Sequence, residues 1–294
     1  MPIVDAHQHF WNLDRVSYPW LTAAGGPICR NFEPPELIPE LAAAGVDATV
    51  VVQAMDSAED TAYMLEQAGR HPFIAAVVGW VPLERPGEAA AALDGYLNRE
   101  PGPGGSRLTG IRHLIHTEPD PDWLLRDTVI DGLRVLAERD IAFDVVAQVD
   151  HLRHVPVLAE RVPGLRMVID HLGKPDIAVG QWEPWASLLR AAAECPGVHA
   201  KISGLGTEAN PETWTAADLQ RYVDHAIEVF GPGRLMFGSD WPVSTLAGGY
   251  AKVWAETGKV LAGLSPDDRA AIYGATARRF YKLQVDGQVK PPGR

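Results

Sequence analysis

Short apolar runs recur along the chain, each bounded by Gly, Pro or polar residues and each separated from the next by a stretch of helical composition. Runs rich in Val, Ile and Ala predict strands at 3–10, 48–53, 74–81, 108–114, 141–147, 165–172, 199–204 and 235–240. Between them, helices are expected at 36–44, 60–69, 88–99, 122–138, 154–161, 185–194 and 216–230, with two more at 248–261 and 266–282. Gly and Pro at 102–105 break the chain before the fourth strand, and Gly45 stops the first helix.

Strands alternating with helices are the pattern of parallel βαβ units, and near-continuous apolar strands fit a sheet buried on both faces. Eight units within one domain spanning 1–294 predict an α/β fold, a distorted (β/α)8 TIM barrel. An open doubly wound sheet is the competing architecture. The first strand, however, is not followed by a glycine-rich phosphate-binding turn.

Composition narrows the function. A formal charge of −12 argues against nucleic acid or an anionic membrane surface as partner, because both are polyanions. A small soluble ligand is the expectation, and a homo-oligomer is left open. Cys29 and Cys195 are too few and too far apart for a disulfide framework or a thiolate metal site, which points to a reducing, cytoplasmic setting. No run approaches the roughly 18 apolar residues of a membrane span. The first strand begins so early that little room is left for a targeting peptide. The long segment 11–33 carries Trp11, Tyr18 and Trp20, which offer a flat apolar surface or anchor the loop to the body.

In a barrel, polar groups at the C-terminal strand ends converge on one mouth. His7 and His9, two residues apart on the first strand, share a face. The other strand ends offer Gln53, Trp80, Arg112 and His113, Asp144 and Gln148, His171, Lys201 and Ser203, and Asp240. Such groups are costly to bury unless they bind something. His7, His9, His171 and Asp240 together make a set of nitrogen and oxygen ligands for a divalent ion. Strand alternation places His113 outside if Arg112 points in, and sets Asp170 opposite His171 as a backbone hydrogen-bond acceptor. His116 and His151, beyond strand ends, are expected in ordinary loop roles.

His7-Gln8-His9, Asp170-His171-Leu172-Gly173-Lys174-Pro175 and Gly238-Ser239-Asp240-Trp241-Pro242 resemble the amidohydrolase superfamily. Together with Gly110-Ile111-Arg112-His113 and Lys201-Ile202-Ser203-Gly204-Leu205, they are similar to its branch of metal-dependent hydrolases that contains L-fuconolactonase and related sugar or dicarboxylate lactonases. The resemblance implies hydrolysis of a sugar-acid lactone, with Asp240 taking a proton from the attacking water and His171 at the same centre. It also implies a single divalent metal, zinc first, held by His7, His9, His171 or Asp240, or else catalysis without a metal. Arg112 would then polarise the carbonyl or hold a substrate carboxylate.

Lys201, Trp80 and Trp241 complete the expected substrate contacts, although the two indoles could equally fill the rim. The fifth strand carries no histidine and the fourth no bridging lysine or glutamate, so a two-metal centre is not expected. The alternatives are a metal-dependent decarboxylase, a metal-free hydrolase of a dicarboxylate lactone, and a non-catalytic binding barrel.

Overall fold

A computed structural model describes residues 1–100 and 107–285. The eight strands are β1 (Val4–Gln8), β2 (Ala48–Val52), β3 (Ile74–Gly79), β4 (Arg107–His113), β5 (Ala142–Val145), β6 (Met167–Ile169), β7 (Val198–Ile202) and β8 (Leu235–Phe237). They form one parallel sheet in sequence order. The barrel closes just past the strand ends, where Gln8 bridges Trp241, Asp240 N donates to His7 O at 2.8 Å and His9 N donates to Trp241 O at 2.7 Å. The closing bonds therefore lie among the residues of the expected site.

The main helices between strands are α1 (Pro34–Ala44), α2 (Ala58–Ala68), α3 (Pro86–Leu97), α4 (Asp127–Glu138), α5 (His154–Arg161), α6 (Trp185–Ala193), the single turn α7 (Leu205–Glu208) and α8 (Ala216–Phe230). After β8 come α9 (Gly249–Val260), α10 (Pro266–Ala270) and α11 (Thr276–Phe280). The (β/α)8 barrel is thus present. The Gly–Pro break expected at 102–105 lies outside the described residues.

Two expectations are corrected. The helix expected over 122–138 is split: Trp123–Leu125 form a 3-10 turn, and Arg126 is extended (ψ 137°) before α4 begins. Trp123 is buried and stacks on His113 with ring centroids 4.0 Å apart, a packing that draws its backbone out of line with α4. The final helix is continuous over 266–280, close to the expected 266–282, with a π-turn at Ala271–Ala275 between α10 and α11. The sixth strand is also shorter than its apolar run, ending at Ile169.

After β6 the backbone enters a left-handed turn in which His171, Leu172, Gly173 and Lys174 all have positive φ, at 54°, 51°, 73° and 53°. Only Gly173 takes that conformation without steric cost, and a Cβ there would meet the Leu152 side chain at 2.7 Å. The turn is held by Lys174 N donating to His171 O at 2.9 Å and by the Trp185 indole donating to Leu172 O at 2.7 Å.

Candidate active site

β1 delivers His7 and His9 to the barrel mouth, as the period of two requires. His9 Nδ1 donates to Val52 O at 2.7 Å, which turns its Nε2 towards the mouth. That nitrogen lies 3.2 Å from His7 Nε2 and 3.3 Å from Asp240 Oδ1. His171, carried by the left-handed turn, engages Ser203 Oγ through Nδ1 at 2.9 Å, and its ring packs edge-on to His7 at 4.6 Å.

Glycines make the room for this cluster. A Cβ on Gly204 would meet His171 Nδ1 at 2.5 Å, and one on Gly238 would meet His7 Cβ at 2.6 Å. Asp240 itself has φ 55°, and its backbone is anchored by bonds to His7 O and from Ser244 N.

Below this cluster lies a buried charge network. Lys201 Nζ is bonded to Asp144 Oδ2 at 2.5 Å, Asp170 Oδ1 at 3.0 Å and His7 Nδ1 at 3.1 Å. Arg112 Nη1 donates to Asp170 Oδ2 at 3.1 Å, its Nη2 donates to Gln53 O, and Tyr281 OH donates to Asp144 Oδ2 at 2.7 Å. Burial favours the neutral acid at both carboxylates. It prevails at Asp144, whose pKa rises, whereas at Asp170 the Lys201 ammonium, with the neighbouring His7 and the Arg112 guanidinium, overcomes it and holds the group ionised.

Burial likewise lowers His7 well below the usual histidine range and His171 to about 4, so both are neutral at pH 7. At Asp240 burial works upward, but the neighbouring His171 and the hydrogen bond from His9 outweigh it, and the carboxylate stays ionised. The floor of the mouth thus presents an anionic oxygen beside the neutral imidazoles of His7 and His171 and the ring of His9.

That donor set fits a divalent metal. One nitrogen each of His7 and His171 and an oxygen of Asp240 lie within 4.8 Å of one another. The 3.2 and 3.3 Å separations about His9 Nε2 match the edge, roughly 3.3 Å, of a tetrahedron with metal–ligand bonds of about 2.0–2.1 Å. Neutral imidazoles and one carboxylate are the ligand types of zinc-like ions, and Asp170 beside His7 Nδ1 is a typical outer partner of a ligating histidine.

A cavity of about 230 Å³ opens above this floor. His9, His171, Asp240 and Arg112 line it, as do Trp11 and Trp20 from the long loop after β1. Tyr18, by contrast, is buried and donates to Asp60 at 2.6 Å, anchoring that loop.

Three side chains expected to touch substrate do not line the cavity. Lys201 is fully buried beneath it, its long chain spent on the two carboxylates. Trp80 turns its indole to His113 Nδ1 at 3.2 Å. Trp241 is buried against Phe10 and Phe32, and contributes its backbone to barrel closure. Asp170 differs from expectation too: it points inward beside His171, because the left-handed turn ends the strand alternation that would have separated them. His113 packs on Trp123 and bonds Glu118 at 2.6 Å, clear of the cavity.

The sequence reading missed other residues of the wall. His116 and Thr117 follow β4, Lys174 follows β6, and Thr207 and Glu208 sit on α7 after β7. Burial lowers His116 to about 4. Each lies within a few residues of a strand's C-terminal end, and that proximity was the available signal.

Known proteins of similar sequence fit this arrangement. The family model described as Amidohydrolase matches residues 4–283. An L-fucono-1,5-lactonase of Burkholderia ambifaria is 40% identical over 288 residues, covering 95% of each chain. An L-fucono-1,5-lactonase of Burkholderia multivorans is 36% identical over 296 residues, covering 95% of this chain and 96% of that protein. A crystal structure of an amidohydrolase from Burkholderia multivorans with bound zinc superposes with a TM-score of 0.86 at 33% identity, covering 96% of this chain and 100% of that one. From its first strand to its last helix, the chain belongs to the amidohydrolase family and is a hydrolase.

Proposed function

We propose that the protein hydrolyses the lactone of a sugar acid, with Asp240 as general base. The observation that carries this reading is the convergence of an ionised carboxylate, the neutral imidazole of His171, the His9 ring and a guanidinium on one small cavity at the barrel mouth. The L-fucono-1,5-lactonases at 36% and 40% identity support the substrate class.

In this mechanism Asp240 accepts a proton from a water as the water oxygen bonds to the lactone carbonyl carbon. The carbonyl π-electrons move onto oxygen, and Arg112, fixed by Asp170 and Gln53 O, faces that developing charge. Collapse breaks the ring C–O bond, and the proton held by Asp240 passes to the departing ring oxygen, giving an open-chain hydroxy acid. The neutral histidines hold no proton that competes with this transfer. His7, His9, His171 and Asp240 are the residues that would hold a divalent ion. When bound, the ion would supply Lewis-acid polarisation and a lower pKa for water.

The test is turnover of a panel of aldonolactones followed by proton release, before and after chelation, with metal content measured on the same protein. Hydrolysis that Asp240→Asn lowers by about 10²- to 10⁴-fold is expected. A loss within tenfold would remove Asp240 from the base role. Carbon dioxide release from a carboxylated ring, with no lactone turnover, would replace the reading by decarboxylation.

A further inference from the structure

Two polar head groups in the cavity wall have no task in the chemistry just described. Lys174 closes the left-handed turn after β6, and Glu208 ends α7 after β7; both line the cavity. Their head groups approach to 3.8 Å, Nζ to Oε1, which is ion-pair range but beyond hydrogen-bond length. Neither head group makes a hydrogen bond to another of the described residues. Each side chain is little more than a quarter exposed, at 28% and 27%.

Their backbones are fixed nonetheless. Lys174 N donates to His171 O at 2.9 Å, and Ala178 N donates to Glu208 O at 2.9 Å, tying the segment that follows the turn to the end of α7. The neighbouring Thr207 hydroxyl is already committed to Gly204 O at 2.7 Å. The wall therefore holds one donor and one acceptor in place, side by side, with their capacity unspent.

We infer that Lys174 and Glu208 are specificity-determining residues that together read a ring hydroxyl of the substrate, an inference that rests on the lactonase reading. A hydroxyl is the group that fills both needs at once: its oxygen accepts from Lys174 Nζ while its proton goes to Glu208. A methylene would leave both heads unpaired in a partly desolvated wall, which is costly. A carboxylate could satisfy only Lys174 and would set a further negative charge against Glu208 and Asp240, which already feel each other's charge. The pair thus favours a neutral polyhydroxylated lactone over a dicarboxylate lactone. Trp11 and Trp20 supply apolar surface in the same cavity for the C–H face of such a ring.

The test compares kcat/KM for a polyhydroxylated six-membered aldonolactone with that for δ-valerolactone, which has no ring hydroxyl, in the wild type, Glu208→Ala, Glu208→Gln and Lys174→Met. The ratio of the two values is expected to fall about 10- to 100-fold in Glu208→Ala and Lys174→Met, the loss of a hydrogen bond to a charged group. The isosteric Glu208→Gln guards against a folding defect and is expected to lower the ratio as well. A ratio within threefold of wild type in all three variants overturns the inference.

A second measurement does not depend on turnover. Calorimetry with a polyhydroxylated δ-lactam and the unsubstituted δ-lactam should show tighter binding of the former by the wild type and loss of that preference in Glu208→Ala. If no lactone is hydrolysed but the lactam preference is present and Glu208-dependent, the lactonase reading fails and the hydroxyl-reading role stands. Equal binding of both lactams by the wild type overturns the role itself.

Discussion

Lys201 is a charged side chain with no exposure, and its place is set by three partners rather than by a substrate. Replacing it by methionine would leave Asp144 without a counter-charge, facing an Asp170 whose remaining cation is Arg112. A destabilisation of about 3–5 kcal/mol is expected, measured by denaturant unfolding. Adding Asp144→Asn should recover part of that loss, and a double variant as unstable as the sum of the singles would refute the coupling. At this scale the sequence was legible for His7, His9, His171, Asp240 and Arg112, because strand alternation and motif placed each near the mouth. It was not legible for Lys201 and Asp170. Whether an inward polar group meets substrate or a buried counter-ion depends on side-chain reach across the barrel, which strand position does not encode.

At the level of the element, the junction of β7 and α7 decides how close the rings can approach. Gly204 has φ 62°, and the Cβ of alanine would fall 2.5 Å from His171 Nδ1 and 3.1 Å from Asp240 Oδ2. Gly204→Ala is expected to push the His171 ring off Ser203 and lower kcat at least tenfold while the far-ultraviolet circular dichroism stays native; full activity would show that His171 has slack. Periodicity located every strand and, apart from the single turn α7, the body of each α-helix, α5 and α8 over the expected residues. Elements departed where a local contact outweighed propensity: Trp123 packing on His113 split the helix before α4, and the left-handed turn cut β6 at Ile169. The residues after that cut include His171 and Lys174, so the irregular stretch carries two residues of the cavity wall.

For the whole molecule, the buried titratable groups set the response to acid. His116, His171 and His199 are each lowered by burial to about 4, against 6.5 in the unfolded chain. Between those values the unfolded state binds protons that the folded state refuses, so stability falls as pH drops from 6.5 towards 4. Asp5, raised by burial to about 6, acts in the opposite sense between 6 and 3.8, since the folded state then binds the proton first. With His7, His71, His151 and His154 lowered as well, seven histidines oppose five carboxylates raised by burial, Asp5, Asp56, Asp60, Asp144 and Glu208. The denaturation midpoint of chelator-treated protein should decline over this window, with Asp170 and Asp240 adding to the loss below about pH 4. A midpoint that rises on acidification would contradict this balance. Among the described residues no helix is long and apolar enough to cross a membrane.

The left-handed turn has a consequence for how such a site can change. His171 and Lys174 stand at its two ends, and its backbone is locked by Trp185 and by its own closing bond. The proposed catalytic histidine and the proposed hydroxyl-reading lysine are therefore carried by one locked piece of backbone. Length variation inside 171–174 would disturb catalysis and selectivity together. Loops that retain the chemistry while exploring new substrates must vary after Pro175, on α7, or in the segment that carries Trp11 and Trp20.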